Sequence, residues 1–472
     1  MQFSRTCRGV VASLFTIALA GPAVFCAAQT PSGLSPETRA RVDQIAHQVL
    51  ASTGVPSASI AIVKNAQVVY LQAYGDAKLE PRIPAKPEMH YSIGSISKQF
   101  TATAILMLAE QGKLSLDDPV ARFVPNLTRA NEVTIRELLS HTSGYQDYWP
   151  QDYAPPFMQH DISADQILER WARKPLDFDP GTKWQYSNTN YVIAGIIVEK
   201  ASGIALFDFL RTHAFEPLGM QSIINSDQTP LGPNDPVGYM RYGLGPLRPG
   251  PPQGKGWMFA AGELAMPVSE LAKWDIGIMD QKLLKPESYK EMENEVVLKN
   301  GVGTRYGLGL DVRSMSGHRE LAHSGEVVGF TAENMVFPDD NAAIVVLTNQ
   351  DAADAAGDIA QKIAPLLFAS GDNQPNEAQA RQILEALQHG KIDRSLFTAD
   401  ANSYFSDAAL KDFEEGLKPL GEINEFTQQR KENRGGMVLR VYTAKFKKKT
   451  LAVWTYEMPD GKLEQYQVAA QE

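Results

Sequence analysis

Cysteine is nearly absent. Its two copies, Cys7 and Cys26, both fall within the first 28 residues. Without that segment the chain has no thiol, which excludes disulfides, thiolate nucleophiles and Cys-ligated zinc together. Past residue 28 there is no apolar run of about 18 residues, so no later membrane span is expected. An excess of positive charge is missing too. Lys and Arg number 45 against 55 Asp and Glu, a formal charge of −10, and without a basic stripe a nucleic-acid surface is not expected. Two hydrolase signatures are also missing: there is no G-x-S-x-G elbow and no H-E-x-x-H pair. What remains is an ordinary globular composition, 43% hydrophobic and 21% charged over 472 residues. That length has room for two or three domains with a sizeable core.

The N-terminus reads as a targeting segment. Arg5 and Arg8 precede the apolar run Gly9–Ala20, and small residues follow at Cys26-Ala-Ala28. This pattern predicts a secretory signal peptide over residues 1–28, cut after Ala28, and places the mature chain in the periplasm or outside the cell. Bulky Phe25 argues against a lipoprotein site at Cys26, and Gly21 and Pro22 break the run that a retained anchor would need. Removing the two arginines leaves 43 basic against 55 acidic residues, a charge of −12.

Hydrophobic periodicity sets out the rest. Val42, Ile45, Ala46, Val49 and Leu50 form one helical stripe, which predicts a helix over 36–53. Residues 57–64 and 68–74 are β-rich runs around a polar turn. A helix rich in Ala, Leu and Met is expected at about 95–111, stopped by Gly112, with Ser92 or Ser97 in the capping role. From 120 to 290 helical segments alternate with Pro/Gly-rich loops, and Tyr239–Gly256 has no periodicity. Strand signals return in a hairpin, 335–337 and 342–348, around Pro338-Asp-Asp-Asn341. One sheet built from both ends, with a helical insertion, accounts for this order. Residues 371–376 read as a linker to a small α+β domain over 377–472. That domain has a helix at 377–389, strands at 437–446, 451–456 and 463–468, and a turn at Pro459-Asp-Gly461. Lys445 and Lys447–Lys449 read as a solvated hairpin tip.

Three short elements carry chemistry. Ser95-Ile-Ser-Lys98 puts a hydroxyl and an amine on one helical face, one turn apart. A desolvated lysine can lose its proton and then take that of the serine, and a helix N-terminus offers N–H groups to an oxyanion. Tyr186-Ser-Asn188 offers a phenol whose phenolate a nearby lysine would stabilise, and an amide to orient it. His323-Ser-Gly325 lies on or beside a strand, where a small residue lets substrate approach the backbone. Taken singly, each element also fits a structural role: a helix start, a turn, and an edge-strand His with a Gly bulge.

Their order and spacing, with about 90 residues from the first to the second, resemble the serine β-lactamase-like superfamily on its class C side, a group that includes penicillin-binding proteins and esterase-like hydrolases. The flanking stretches Val55–Lys64, Leu114–Pro119, Thr134–Gly144 and Tyr306–Leu310 match that family too, so the resemblance covers about 36–368. It implies an α+β fold, an antiparallel sheet flanked by helices, over residues 29–370. It implies Ser95 as the acylated nucleophile, Lys98 as its partner and Tyr186 as base and later acid. Asn188, His323, Ser324 and Gly325 would hold substrate, and the backbone N–H groups of Ser95 and Glu326 would form the oxyanion hole. The stretch around His141 is a structural loop in the family. No metal or organic cofactor is implied, and the partner is a small-molecule or peptide substrate.

One position departs from the pattern. Relatives acting on β-lactams usually carry Lys where His323 stands, and an imidazole with pKa near about 6.5 would anchor a carboxylate only when protonated. The C-terminal domain resembles small cystatin-like appended domains. These readings converge on a secreted serine hydrolase for esters or amides, esterase- or D-peptidase-like, with a weak β-lactamase still open within the class. The competing reading is a catalytically inactive relative kept as a binding or regulatory module.

Overall fold

The computed structural model describes residues 33–149, 155–315, 317–368, 373–434, 437–458 and 461–470. The expected signal peptide, the first part of the linker and Pro459-Asp460 lie outside these residues.

Helix α1 (Pro36–Thr53) starts where its sequence signals place it. Ser35 Oγ accepts the Thr38 N–H at 3.1 Å, Pro36 opens the first turn, and Gly54 at φ +74° closes the last. Strands β1 (Ser57–Lys64) and β2 (Gln67–Leu79) follow, with β3 (Arg82–Pro84) on the outer edge. A short 3₁₀ turn, Gly94–Ile96, leads into α2 (Ser97–Glu110). The expectation of a single helix from residue 95, capped by Ser92 or Ser97, is therefore corrected. No side chain caps α2, and Ser97 Oγ instead accepts the Leu264 N–H at 3.2 Å. The insertion contributes α3 (Asn188–Ser202) and α4 (Val268–Met279). The chain then returns through β4 (Asp311–Met315), β5 (His318–Val327), β6 (Phe330–Phe337) and β7 (Ala342–Thr348), and closes with α5 (Ala355–Phe368).

These strands form one antiparallel sheet of seven, in the order β3-β2-β1-β7-β6-β5-β4. The first and last strands of the chain segment meet at its centre, Ile60 opposite Val346. This is the sheet built from both ends. β1 and β7 are buried on both faces, so they read as continuous apolar runs rather than alternating ones. On one face α1 and α5 pack Val42, Ile45, Val49, Ile359 and Ile363 against Ile60, Ile62, Ile344 and Val346. On the other, Ala61, Val63, Val345 and Leu347 meet a larger core that includes Phe100, Ile105, Ile193 and Trp274. Helix α2 lies inside that core, buried from Ser97 through Leu108.

The C-terminal residues form a unit with a core of its own. Helices α6 (Asn373–Leu387) and α7 (Asp407–Leu417) precede four antiparallel strands: β8 (Ile423–Arg434), β9 (Met437–Phe446), β10 (Thr450–Glu457) and β11 (Leu463–Ala470). Ile383, Leu384, Leu387, Phe426, Tyr442, Val453 and Tyr466 fill the space between them. Helix α6 begins at Asn373, inside the stretch read as linker. The lysines at 445 and 447–449 are exposed at the β9–β10 tip.

Candidate active site

A cleft of about 470 Å³ opens where the 3₁₀ turn before α2 meets strand β5. Ser95, Tyr186, Asn188, His323, Ser324 and Glu326 all line it. The three motifs, far apart in the chain, therefore share one cavity. Lys98 lies just beneath, fully buried.

Backbone contact brings the two halves together. β5 pairs with β4 only from His318 to Ala322, so the segment from His323 onward keeps one edge free of that partner. The turn carrying Ser95 approaches this edge so closely that two positions exclude a side chain. A Cβ on Gly325 would lie 1.9 Å from Ile93 O and 3.3 Å from Ser95 N. A Cβ on Gly94, at φ +51°, would lie 2.8 Å from Glu326 N. The backbone nitrogens of Ser95 and Glu326 thus both lie at the seam where the turn meets the strand.

Lys98 is the centre of the polar network. Its Nζ lies 2.8 Å from Ser95 Oγ, 2.8 Å from Asn188 Oδ1 and 2.8 Å from Ala261 O. Burial lowers its pKa from 10.5 to about 7, against the opposing charge of Asp147. Asn188 Oδ1 and Ala261 O can only accept, so two N–H bonds go to them, and the third direction on Nζ meets the Ser95 hydroxyl: as an ammonium Nζ donates there, and as a neutral amine it offers Ser95 its lone pair. Asn188 is held in the matching orientation. Its Nδ2 points at both Asp147 carboxylate oxygens at 3.3 Å, and its backbone N–H donates to Asp147 Oδ1 at 3.0 Å.

Tyr186 lines the cleft with Ser95, and its ring centroid lies 5.0 Å from Lys98 Nζ. Burial pushes its phenol well above the ordinary value, and the negative charges of Asp147 and Asp311 add to that. This corrects the expectation of a phenolate stabilised by Lys98. The lysine is itself desolvated and only about half protonated at pH 7, and burial of the phenol outweighs that partial charge.

His323 is corrected in the same way. Its Nδ1–H donates to Ser324 O at 2.6 Å, which leaves Nε2 to accept the Tyr306 hydroxyl at 2.9 Å. Burial and the nearby Lys98 depress its pKa to about 3. It is a neutral group locked between two partners, not a cation that switches near neutral pH.

His141 stays outside the chemistry. It is fully buried at φ +59°, and its Nδ1 accepts the Ser187 N–H at 3.2 Å. Its ring packs on Tyr186 at 4.3 Å between centroids. Burial holds its pKa well below 6.5. It supports the Tyr186–Asn188 segment from behind.

Several site residues escaped the sequence reading. Asp147, Trp149, Trp184 and Arg313 line the cleft, yet no motif marks them. Tyr306 opens a matched stretch but carried no assigned role. Asp227 lies deeper. It accepts the N–H groups of Gly256, Met258 and Phe259 at 3.0, 3.1 and 3.2 Å, and so fixes the segment that presents Ala261 O to Lys98.

Comparison with known proteins bears on the family and the fold. The family model described as Beta-lactamase matches residues 42–366. The putative penicillin-binding protein PbpX of Bacillus subtilis (strain 168) is 28% identical over 311 residues, 66% of this chain and 75% of its own length. Among solved structures, the octameric penicillin-binding protein homologue from Pyrococcus abyssi superposes with a TM-score of 0.63 at 24% identity, over 92% of this chain and 96% of its own. A D-stereospecific amidohydrolase from Streptomyces sp. gives 0.61 at 25% identity, over 70% of this chain and 99% of its own.

Proposed function

Because the chain belongs to the Beta-lactamase family, we propose that it is a serine hydrolase that cleaves an ester or amide through an acyl-enzyme on Ser95. The observation that carries this reading is the Lys98 amine, 2.8 Å from the Ser95 hydroxyl and with its two other partners both acceptors. In this mechanism Ser95 Oγ attacks the substrate carbonyl while its proton passes to Lys98 Nζ. The backbone N–H groups of Ser95 and Glu326 receive the oxyanion. As the carbonyl carbon–leaving group bond breaks, the departing oxygen or nitrogen takes a proton from the Tyr186 hydroxyl, which Lys98 replenishes. Water then attacks the acyl-enzyme by the same route in reverse and frees Ser95. Asn188 orients Lys98 and the substrate carbonyl, and His323, Ser324 and Gly325 form the substrate-facing strand.

Substrate choice follows from His323. A neutral imidazole already bonded on both sides offers no charge to a carboxylate. Neutral esters and D-amino acid amides therefore suit the cleft better than β-lactams or carboxyl-terminal peptides. The amidohydrolase likeness supports the amide branch. The N-terminal Arg5–Ala28 pattern supports export. A panel of p-nitrophenyl butyrate, D-alanine amide and nitrocefin on the purified protein tests the substrate reading. Turnover of the first two well above nitrocefin is the expected result. Efficient nitrocefin hydrolysis with inert esters and amides would overturn the reading.

A further inference from the structure

The end of strand β5 is weakly held by the sheet itself. From His323 onward it has no β4 partner. Its other edge pairs with β6 only as far as Val327, opposite Phe330, and the chain turns at Gly329, φ +81°. The Glu326 backbone lies against Gly94, where a Cβ would be 2.8 Å from Glu326 N and 3.1 Å from Glu326 O. A small shift of this turn would therefore move the Glu326 N–H relative to that of Ser95.

Side chains take over where the ladder ends. Two hydrogen bonds join the turn to residues 349–352, just past β7. The Gly329 N–H donates to Asp351 Oδ2 at 2.9 Å, and the Ala352 N–H donates to Glu326 Oε1 at 2.9 Å. Each segment thus gives one backbone donor and one carboxylate. Asp351 is buried, and burial together with the charge of Glu326 pushes its carboxyl above the ordinary value. Ala352 sits at φ +50°, a conformation that a residue with a Cβ rarely adopts. Two neighbouring carboxylates and a left-handed alanine are both costs, which the surroundings must offset. The footing is firm. Asn349, fully buried, accepts the Ser57 N–H at 2.8 Å and donates to Val237 O at 3.1 Å, and the Asp351 N–H donates to Tyr239 O at 3.1 Å.

Resting on the Ser95 acyl-enzyme reading, we propose that Asp351 is a positioning residue for the acyl transfer: with the Glu326 side chain it closes a two-bond clasp on the end of β5, and so keeps the Glu326 N–H aligned with that of Ser95. Both carboxylates act through the backbone they hold. Opening the clasp weakens what the tetrahedral state gains over the bound ester.

Steady-state kinetics of the full chain on p-nitrophenyl butyrate, with the inhibition constant of phenylboronic acid, test this. The boron of that acid takes the Ser95 oxygen as a fourth ligand while the hydroxyl proton passes to Lys98, and the adduct places an oxygen where the oxyanion would lie. Asp351→Ala should lower kcat roughly tenfold with KM within about twofold, and weaken the boronic acid by a factor similar to the fall in kcat. Asp351→Asn keeps an oxygen for the Gly329 N–H and should recover most of both. Glu326→Ala cuts the other bond and should show the same pattern, so it carries the test if Asp351→Ala does not fold. The double variant should lose little more than either single one, because one clasp opens only once. Unchanged kcat in both alanine variants would overturn the proposal. So would a loss that appears in KM alone, that Asp351→Asn does not recover, or that multiplies in the double variant. Failure of the serine reading looks different and would overturn both: Ser95→Ala would hydrolyse the ester at the unmodified rate, and phenylboronic acid would not inhibit the unmodified protein.

Discussion

Three oxygens meet the single amine of Lys98, and burial brings that amine within reach of neutrality at pH 7. Its protonation state should therefore govern the pH profile. Below about 7 the amine holds its proton and cannot take one from Ser95, so kcat/KM for a neutral ester should rise as pH increases through about 7 and then level. His323, depressed to about 3, should add no limb between pH 5 and 8. A profile from pH 5 to 9 on the unmodified protein and on His323→Gln checks both points: the limb should keep its position in the variant. Substitution of the proton-handling groups should be costly. Lys98→Ala and Tyr186→Phe are each expected to lower kcat by at least about a hundredfold with folding intact by circular dichroism. The sequence carried the identities of Ser95, Lys98, Tyr186 and His323 because each lies in a short motif. It did not carry their protonation states. Those depend on burial by residues such as Tyr306 and on the distant Asp147, which only folding brings near.

Elements hold these residues by close backbone approach. The turn before α2 lies so near β5 that Gly325→Ala would place a methyl 1.9 Å from Ile93 O. That variant should lose at least about 2 kcal/mol of stability by denaturant unfolding, and most of its activity, because the turn and the strand must separate. The Asp227 clasp on residues 256–259 makes a gentler case. Asp227→Ala should cost about 1–3 kcal/mol by the same measurement and lower kcat more than it raises KM, since it loosens Ala261 O beneath Lys98. Elements with strong periodicity were legible in the sequence: α1 by its apolar stripe and caps, β1 and β7 as apolar runs joined to turn signals. The start of α2 was not, because Gly94 at φ +51° makes a 3₁₀ turn ahead of the helix. Strand β8 was also missed. Its Glu-Phe-Thr-Gln-Gln-Arg-Lys-Glu-Asn run is polar because it lies at a sheet edge, and pairing with β9, not its own composition, makes it a strand.

At the scale of the whole molecule, the sheet joins chain segments almost 300 residues apart; strand signals at both ends of the helical insertion announced that joining, though not the strand order. The C-terminal residues have a separate core. A protein ending at Phe368, the last residue of α5, should fold cooperatively and match the full chain's rate on p-nitrophenyl butyrate within about threefold. Thermal unfolding and kcat/KM on the truncated protein check this, and a folded but inactive product would mean that residues 373–470 complete the cleft. The central claim, however, is a covalent bond at one atom. It is tested most directly by intact-mass and peptide-mapping mass spectrometry of the full protein after reaction with a fluorophosphonate. The account predicts one adduct, on the Ser95 hydroxyl, with loss of activity in proportion to labelling and no adduct in Ser95→Ala. Labelling at another residue, or an unlabelled and undiminished turnover in Ser95→Ala, would contradict it.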